Sequence, residues 1–541
     1  MNQMSQITIP LKNLFAPEAA PEMNNANPMV LAMQVARRYS FLSLPVFMEI
    51  EGDRIILKHP GTSDHTQAEA ERLASRAAKH AGNGDCHRAI AIWQRVLQLV
   101  PADLVARRDI GMACSELGDF AKAKHYLSEA LLIDADDIGS LVALATIAVK
   151  QNDYATAEVY ARKAVAAEPQ DAWALNCLGA VLFHTQRQEE ARDLFRAAMA
   201  SAPELASPYV SIAFLYQQQG RYSAAEATLR DMFTKAKKHD IRSEAIFSQA
   251  RQSYARVQHS LAESQHEQAR RTVEGFRGEV ERQTGYPIRL VQTSLGDGSS
   301  GQVQFAWQHQ RDHHLIQCQP DYPACLLPHL LAHEIMHIRL AFNARQAGRG
   351  RIFFLSADHR QTALSAFEGR FQRLARQGFP VDRPEEWVDS LAGNLFAALQ
   401  NVPLDLVVEQ NLREEMPAIA PAQFLAWTSL QEEADDNYQL ISRLMPPRFL
   451  RALVALHGAR LLFADSLCCG ATDCAAVWRH REGFQLAKNL WQHWQTKSGA
   501  LQPGDEYDLV DEFADILELR GTYQWLPDPA SNSTPTTPIP A

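Results

Sequence analysis

His333-Glu334-Ile335-Met336-His337 sets two imidazoles four residues apart with a carboxylate between them. On a helix, residues i and i+4 share a face, so both imidazoles can reach one metal ion. Glu334 then sits beside that ion, placed to take a proton from a bound water. The surrounding run 325–340 reads as a largely buried helix: Leu327, Leu330, Leu331, Ile338 and Leu340 cover most of its surface, and Pro328 suits its first turn. Two histidines and a glutamate in such a segment are expensive to bury without partners, and a zinc ion would offset that cost. The competing reading is two core histidines hydrogen-bonded to backbone, with Glu334 at the surface.

Elements must position these groups. Residues 288–292, 303–307 and 314–318 read as strands ahead of the helix, with a Gly/Ser loop at 296–301 and helices after it. Strands followed by this helix resemble the N-terminal half of the zincin metallopeptidases. The resemblance implies that the edge strand before the helix binds substrate as an added strand, a role it gives to His314–Cys318. An open zinc site needs a third protein ligand. Residues 338–343 lack the Gly and His of the metzincin pattern, which excludes that subclass. The resemblance therefore points to gluzincins, which take a glutamate from a later helix.

Two stretches offer one. In 401–412, Asp405 and Glu409 lie i, i+4 on a helix that is otherwise apolar around them, and carboxylates embedded this way want a cation. In 432–436, Glu432, Glu433 and Asp436 fall largely on the wet side of a helix that buries Phe424, Trp427 and Tyr438, although their order is closer to the gluzincin pattern. Glu409 is the expected third ligand and Glu432 the alternative. Asp405 is then either a carboxylate accepting the free N–H of a ligating imidazole or a helix-start charge near Asn401. His329 is expected as a neighbour rather than a ligand, and His457 as a packed core histidine rather than an oxyanion partner. Cys468, Cys469 and Cys474, with His480 beyond, are too loosely spaced for a second metal site.

The strongest organisation lies upstream. Ala89, Ala123, Ala157, Ala191 and Ala225 are each 34 residues apart, and turn-like pairs from Gly84-Asp85 to Gly220-Arg221 keep the same step. Such a helix–turn–helix period, with small residues where helices approach closely, resembles the tetratricopeptide repeat. Stacked repeats imply a solenoid whose concave face binds a protein partner. The expected division is a 1–65 appendage with a β-hairpin, a 66–240 solenoid, a 241–285 connecting helix, a 286–527 zinc domain and a disordered 528–541 tail.

A chain of 541 residues is too long for one core. Its net charge of −10 argues against a nucleic-acid partner. No apolar run is expected to span a bilayer, no secretory signal opens the chain, and eight scattered cysteines suit a cytoplasmic protein. The fold expectation is mainly α, a tetratricopeptide solenoid followed by an α+β zincin-like domain. The functional expectation is a zinc-dependent metallopeptidase acting on a protein or peptide substrate, with the repeats recruiting that substrate or a regulatory partner. Its rival is a non-catalytic repeat scaffold or adaptor whose metal domain is structural or degenerate.

Overall fold

The 34-residue period closes as paired helices in the computed structural model, which describes residues 4–10, 33, 35–42, 47–51, 54–236, 241–295, 300–376, 384–468, 470 and 472–528. The chain divides into two compact units, Met1–Ala250 and Arg251–Ala541. The fold is mainly helical with a few small sheets.

In the first unit, strands β1 (Met4–Pro10), β2 (Phe47–Glu51) and β3 (Arg54–Pro60) form an antiparallel sheet in the order β1-β3-β2. The expected hairpin thus gains a third strand. Five helix pairs follow: α1 (Asp64–Gly82) with α2 (Cys86–Leu99), α3 (Leu104–Glu116) with α4 (Phe120–Ile133), α5 (Ile138–Lys150) with α6 (Tyr154–Ala167), α7 (Ala172–His184) with α8 (Gln188–Ser201), and α9 (Ala206–Gln218) with α10 (Tyr222–Lys235).

The five periodic alanines are all fully buried where paired helices meet. Between partners, the residue two positions before each second helix lies at positive φ: Gly84, Gly118, Asn152, Gln186 and Gly220. That left-handed step reverses the chain, and glycine makes it without strain. Aspartate side chains cap α2 to α7 in turn, each accepting a backbone N–H of the first turn.

α11 (Ile241–Ser264) and α12 (His266–Thr284) replace the single connecting helix expected over 241–285. The second unit then builds a three-stranded sheet from β4 (Ile288–Gln292), β5 (Gly301–Gln304) and β6 (His314–Cys318), in the order β4-β6-β5. β6 lies in the centre, parallel to β4 and antiparallel to β5. It is not the edge strand expected of residues 314–318, because both of its sides are already hydrogen-bonded. The strand expected over 303–307 is also shorter: it ends at Gln304, and Ala306–His309 forms a one-turn helix, α13.

α14 (Leu327–Gln346) carries the two spaced histidines and buries Ala332, Ile335, Met336 and Ile338 against α12, the sheet and α16. β7 (Arg351–Phe354), α15 (Ala357–Arg376) and the 32-residue α16 (Pro384–Glu415) come next. α17 (Ala420–Leu444), α18 (Pro447–Leu467), α19 (Phe484–Lys497) and α20 (Asp505–Ile516) complete the helices, and β8 (Gln524–Pro527) returns to pair with β7. α16 continues through Pro403, so of the two readings left open for Asp405 the helix-start charge near Asn401 does not apply. A proline only breaks a helix where the lost N–H and its ring cannot be accommodated, and packing of Leu399, Val402 and Leu406 holds this one.

The stretch Asp389–Glu415 is also long and apolar enough, by composition, to cross a bilayer, which corrects the expectation that no run reaches that length. Its apolar window is 61% buried against neighbouring helices, and the large cluster around Leu395, Leu399 and Leu406 accounts for it as a core helix.

Candidate metal centre

Three helices bring the centre together. α14 projects His329, His333 and His337 from successive turns of one face, and α16 projects Asp405 and Glu409 from successive turns of the facing one. α17 contributes Gln423, which is buried. Side chains 430–437 lie outside the described residues, so the alternative ligand Glu432 has no place in the geometry that follows.

His333 stands between the two carboxylates. Its Nδ1–H donates to Glu409 Oε1 at 2.8 Å, while its Nε2 faces the other way, 3.4 Å from Asp405 Oδ1. His337 Nε2 lies 3.1 Å from His333 Nε2 and 3.4 Å from the same Asp405 oxygen. Glu409, 1% exposed, is saturated: His329 Nε2 lies 3.0 and 3.1 Å from its two oxygens, and Gln423 Nε2 donates to Oε2 at 2.6 Å. Arg460 Nη2 approaches the outer oxygen of Asp405 at 3.7 Å.

Electrostatics follow from this arrangement. Burial opposes ionisation of both carboxylates, yet the facing imidazoles hold Asp405 and Glu409 well below the usual carboxylate range. Burial likewise disfavours a charged His333, but hydrogen bonds to the two carboxylates raise it well above 6.5. Glu334 sits on the other side of the pair. It is 6% exposed, and burial raises its carboxyl against the opposing pull of His333 and His337.

The fit of a metal can be tested on distances. Zinc–ligand bonds of about 2.0–2.1 Å in a tetrahedral array put neighbouring donor atoms about 3.3 Å apart. His333 Nε2, His337 Nε2 and Asp405 Oδ1 are separated by 3.1, 3.4 and 3.4 Å. The residues fit the ion. Two groups have the spacing for an ion, His333 with His337 and Asp405, and His329 with His333 and Glu409, so the expected ligand Glu409 keeps a place in one of them.

The centre opens on a cleft of about 1360 Å³ lined by Glu334, His337 and Asp405, by β5 and β7, and by α16 and α18. Gly301 of β5 passes directly over Glu334: a Cβ there would lie 2.7 Å from Leu330 Cδ1 and 3.3 Å from Glu334 Oε1. His457 is half-buried and lines this cleft rather than packing in the core, and burial with the charges of Arg460 and Arg481 holds its imidazole down to about 4. Sequence reasoning missed the parts played by His329, Gln423 and Arg460. Only His329 left a signal, one turn before His333 on the same face.

Comparison with known proteins bears on the repeats. Residues 66–180 match the family described as the cilia and flagella-associated protein 70 middle TPR-like domain, and 172–202 match a tetratricopeptide repeat. A TPR repeat-containing protein of Pseudomonas aeruginosa is 32% identical over 121 residues, which are 22% of this chain and 20% of that protein. The matched region thus spans about a fifth of that relative's length. Among solved structures, a thermophilic TPR protein of Thermus thermophilus has 17% identity and a TM-score of 0.31, covering 34% of this chain and 98% of that one. PilF of Pseudomonas aeruginosa has 16% identity and a TM-score of 0.30, covering 37% of this chain and 92% of that one. The first unit therefore carries tetratricopeptide repeats, which suggest a protein-interaction scaffold. None of these resemblances speaks to zinc or to hydrolysis.

Proposed function

We propose that the second unit is a zinc-dependent hydrolase acting on peptide bonds, attached to a repeat module that recruits its substrate or a regulatory partner. One observation carries the reading: two imidazole nitrogens and one carboxylate oxygen, on two helices, form a triangle of zinc dimensions beside a buried glutamate in an open cleft. In this reading His333, His337 and Asp405 hold the ion. Glu409 takes the supporting role first given to Asp405, fixing His333 through its Nδ1–H, with His329 and Gln423 fixing Glu409 in turn.

Zinc bound there supplies Lewis acidity, acidifying a water and polarising a carbonyl. Glu334 would accept a proton from the attacking water and pass it to the leaving amine; burial raises its carboxyl against the opposing pull of His333 and His337. β5 supplies the substrate-binding edge. Gln319 N donates to Ser300 O, so the alternating ladder turns the backbone groups of Gly301 and Val303 away from β6 toward the open side.

The comparisons favour the second reading, an interaction scaffold whose metal domain is structural or inactive, since they support protein recruitment alone. Glu334→Gln separates the two. Under the hydrolase reading the variant keeps stoichiometric zinc, measured by elemental analysis, and loses peptide hydrolysis by about 100-fold or more. Zinc-loaded wild type with no hydrolysis across a diverse peptide library would leave the scaffold reading standing.

A further inference from the structure

One wall of the cleft is cationic, and it meets the metal centre only through the 3.7 Å approach of Arg460 to Asp405. α18 presents His457 and Arg460 one turn apart, and both line the cleft together with Trp427 and Trp478. The Arg460 guanidinium lies over the Trp427 ring, 4.9 Å from its centroid, with its side chain 22% exposed. Its ion pair among the described residues is with Asp405 at 3.7 Å, too long for a hydrogen bond, and its buried Nε has no hydrogen-bond partner among them. A largely buried guanidinium is normally forked onto a carboxylate; this one is fixed on an aromatic shelf with donor capacity unspent. His457 beside it is held uncharged at neutral pH, so it adds a hydrogen-bonding group without a second fixed charge.

We infer that Arg460, with His457 beside it, forms a carboxylate-recognition subsite next to the metal centre, and that the substrate is a peptide carrying a carboxylate close to the bond that is cut. The placement rests on the hydrolase reading, but recognition itself does not require catalysis. The carboxylate can be the peptide's own C-terminus or an acidic side chain, and the chemistry is the same.

The test uses full-length, zinc-loaded protein and calorimetry with two pairs of N-acetylated tripeptides. In one pair a free C-terminal carboxylate is compared with the amide; in the other, both amidated, Asp is compared with Asn. The wild type is expected to prefer the charged member of at least one pair by about tenfold or more, the worth of a charge-assisted hydrogen bond. The pair that shows the preference names the source of the carboxylate. Compared at full zinc occupancy, verified by elemental analysis because Arg460 also faces Asp405, Arg460→Gln should bring the ratio to about one while binding of the neutral probes stays near wild type. Arg460→Lys, which keeps the charge without the fork, should lose most of the preference and covers the case in which the glutamine variant fails to fold.

A wild type that binds charged and neutral probes alike, or binds neither, overturns the inference. So does a preference that survives in Arg460→Gln, or a variant that loses zinc with the ratio unchanged. Arg460-dependent preference without any hydrolysis would sink the hydrolase reading alone, and hydrolysis without preference would sink this one alone.

Discussion

His333 has both ring nitrogens committed, Nδ1 to Glu409 and Nε2 toward Asp405 and His337. The two carboxylates should therefore respond differently to truncation. Asp405→Ala is expected to abolish tight zinc binding, whereas Glu409→Gln, His329→Ala and Gln423→Ala should weaken it about 10–100-fold; competition with a chromophoric chelator measures both. Equal losses for Asp405 and Glu409 would refute the division of roles. Glu506, at the head of α20 and 4% exposed, offers a pH test. Burial pushes its carboxyl up to about 7, above the roughly 4.3 of an exposed glutamate. The folded state holds this proton more tightly than the unfolded one, so ionisation penalises folding, starting above about pH 4.3 and fully developed above about 7. Glu506→Gln removes the penalty: its melting temperature relative to wild type should climb with pH across that window and level off beyond it. At this scale the sequence named His333, Glu334, His337, Asp405 and Glu409 from spacing and apolar context. It could not apportion the carboxylates, because i, i+4 spacing fixes a shared face but not the axial offset between α14 and α16.

The elements explain what was legible and what was not. The repeats show through because each must solve the same packing problem, so Ala at the contact and Gly or Asp at the turn return every 34 residues. Gln186 departs from that solution, holding φ 64 where its counterparts Gly84, Gly118 and Gly220 hold it freely. Gln186→Gly should raise stability by up to about 1 kcal/mol in chemical denaturation, the left-handed penalty less glycine's entropy. β5 was harder to see. Its four residues are too short for a period-2 pattern, and strand order is a long-range property that 288–318 cannot encode locally. If β5 is the substrate edge, Val303→Pro removes an outward N–H without removing a ladder bond, and KM should rise about tenfold at unchanged melting temperature. Unchanged KM would move the substrate elsewhere. α16 extends further than the 401–412 stretch alone suggests, because packing of Leu399, Val402 and Leu406 carries the helix through Pro403.

For the whole molecule, each unit owns a core, one built on the repeats and one around α16 and α18. Zinc at the proposed centre should stabilise only Arg251–Ala541, by about 2.7 kcal/mol at a free concentration 100 times Kd. Calorimetry with and without a chelator is expected to move one transition and leave the repeat transition in place. Movement of both, or of neither, contradicts that assignment. The bulk composition held no trace of a two-unit division beyond length, and the change of pattern after Gly285 lies well past the division at Ala250, which falls inside α11.

The ribbon of β7 and β8 bears on when this cleft comes into being. Arg351 pairs with Pro527 across all of α15 to α20, and Phe353 and Trp525 from the two strands line the cleft wall. Closing so long a loop is entropically unfavourable and returns little until the intervening helices have packed, so this pairing belongs late in folding. During synthesis the histidine helix is complete nearly two hundred residues before its wall can be, as the interval from His337 to Trp525 shows. A nascent chain stopped between Glu409 and Trp525 carries His333, His337, Asp405 and Glu409 while lacking a finished cleft wall, so under the hydrolase reading it would not yet hold a substrate.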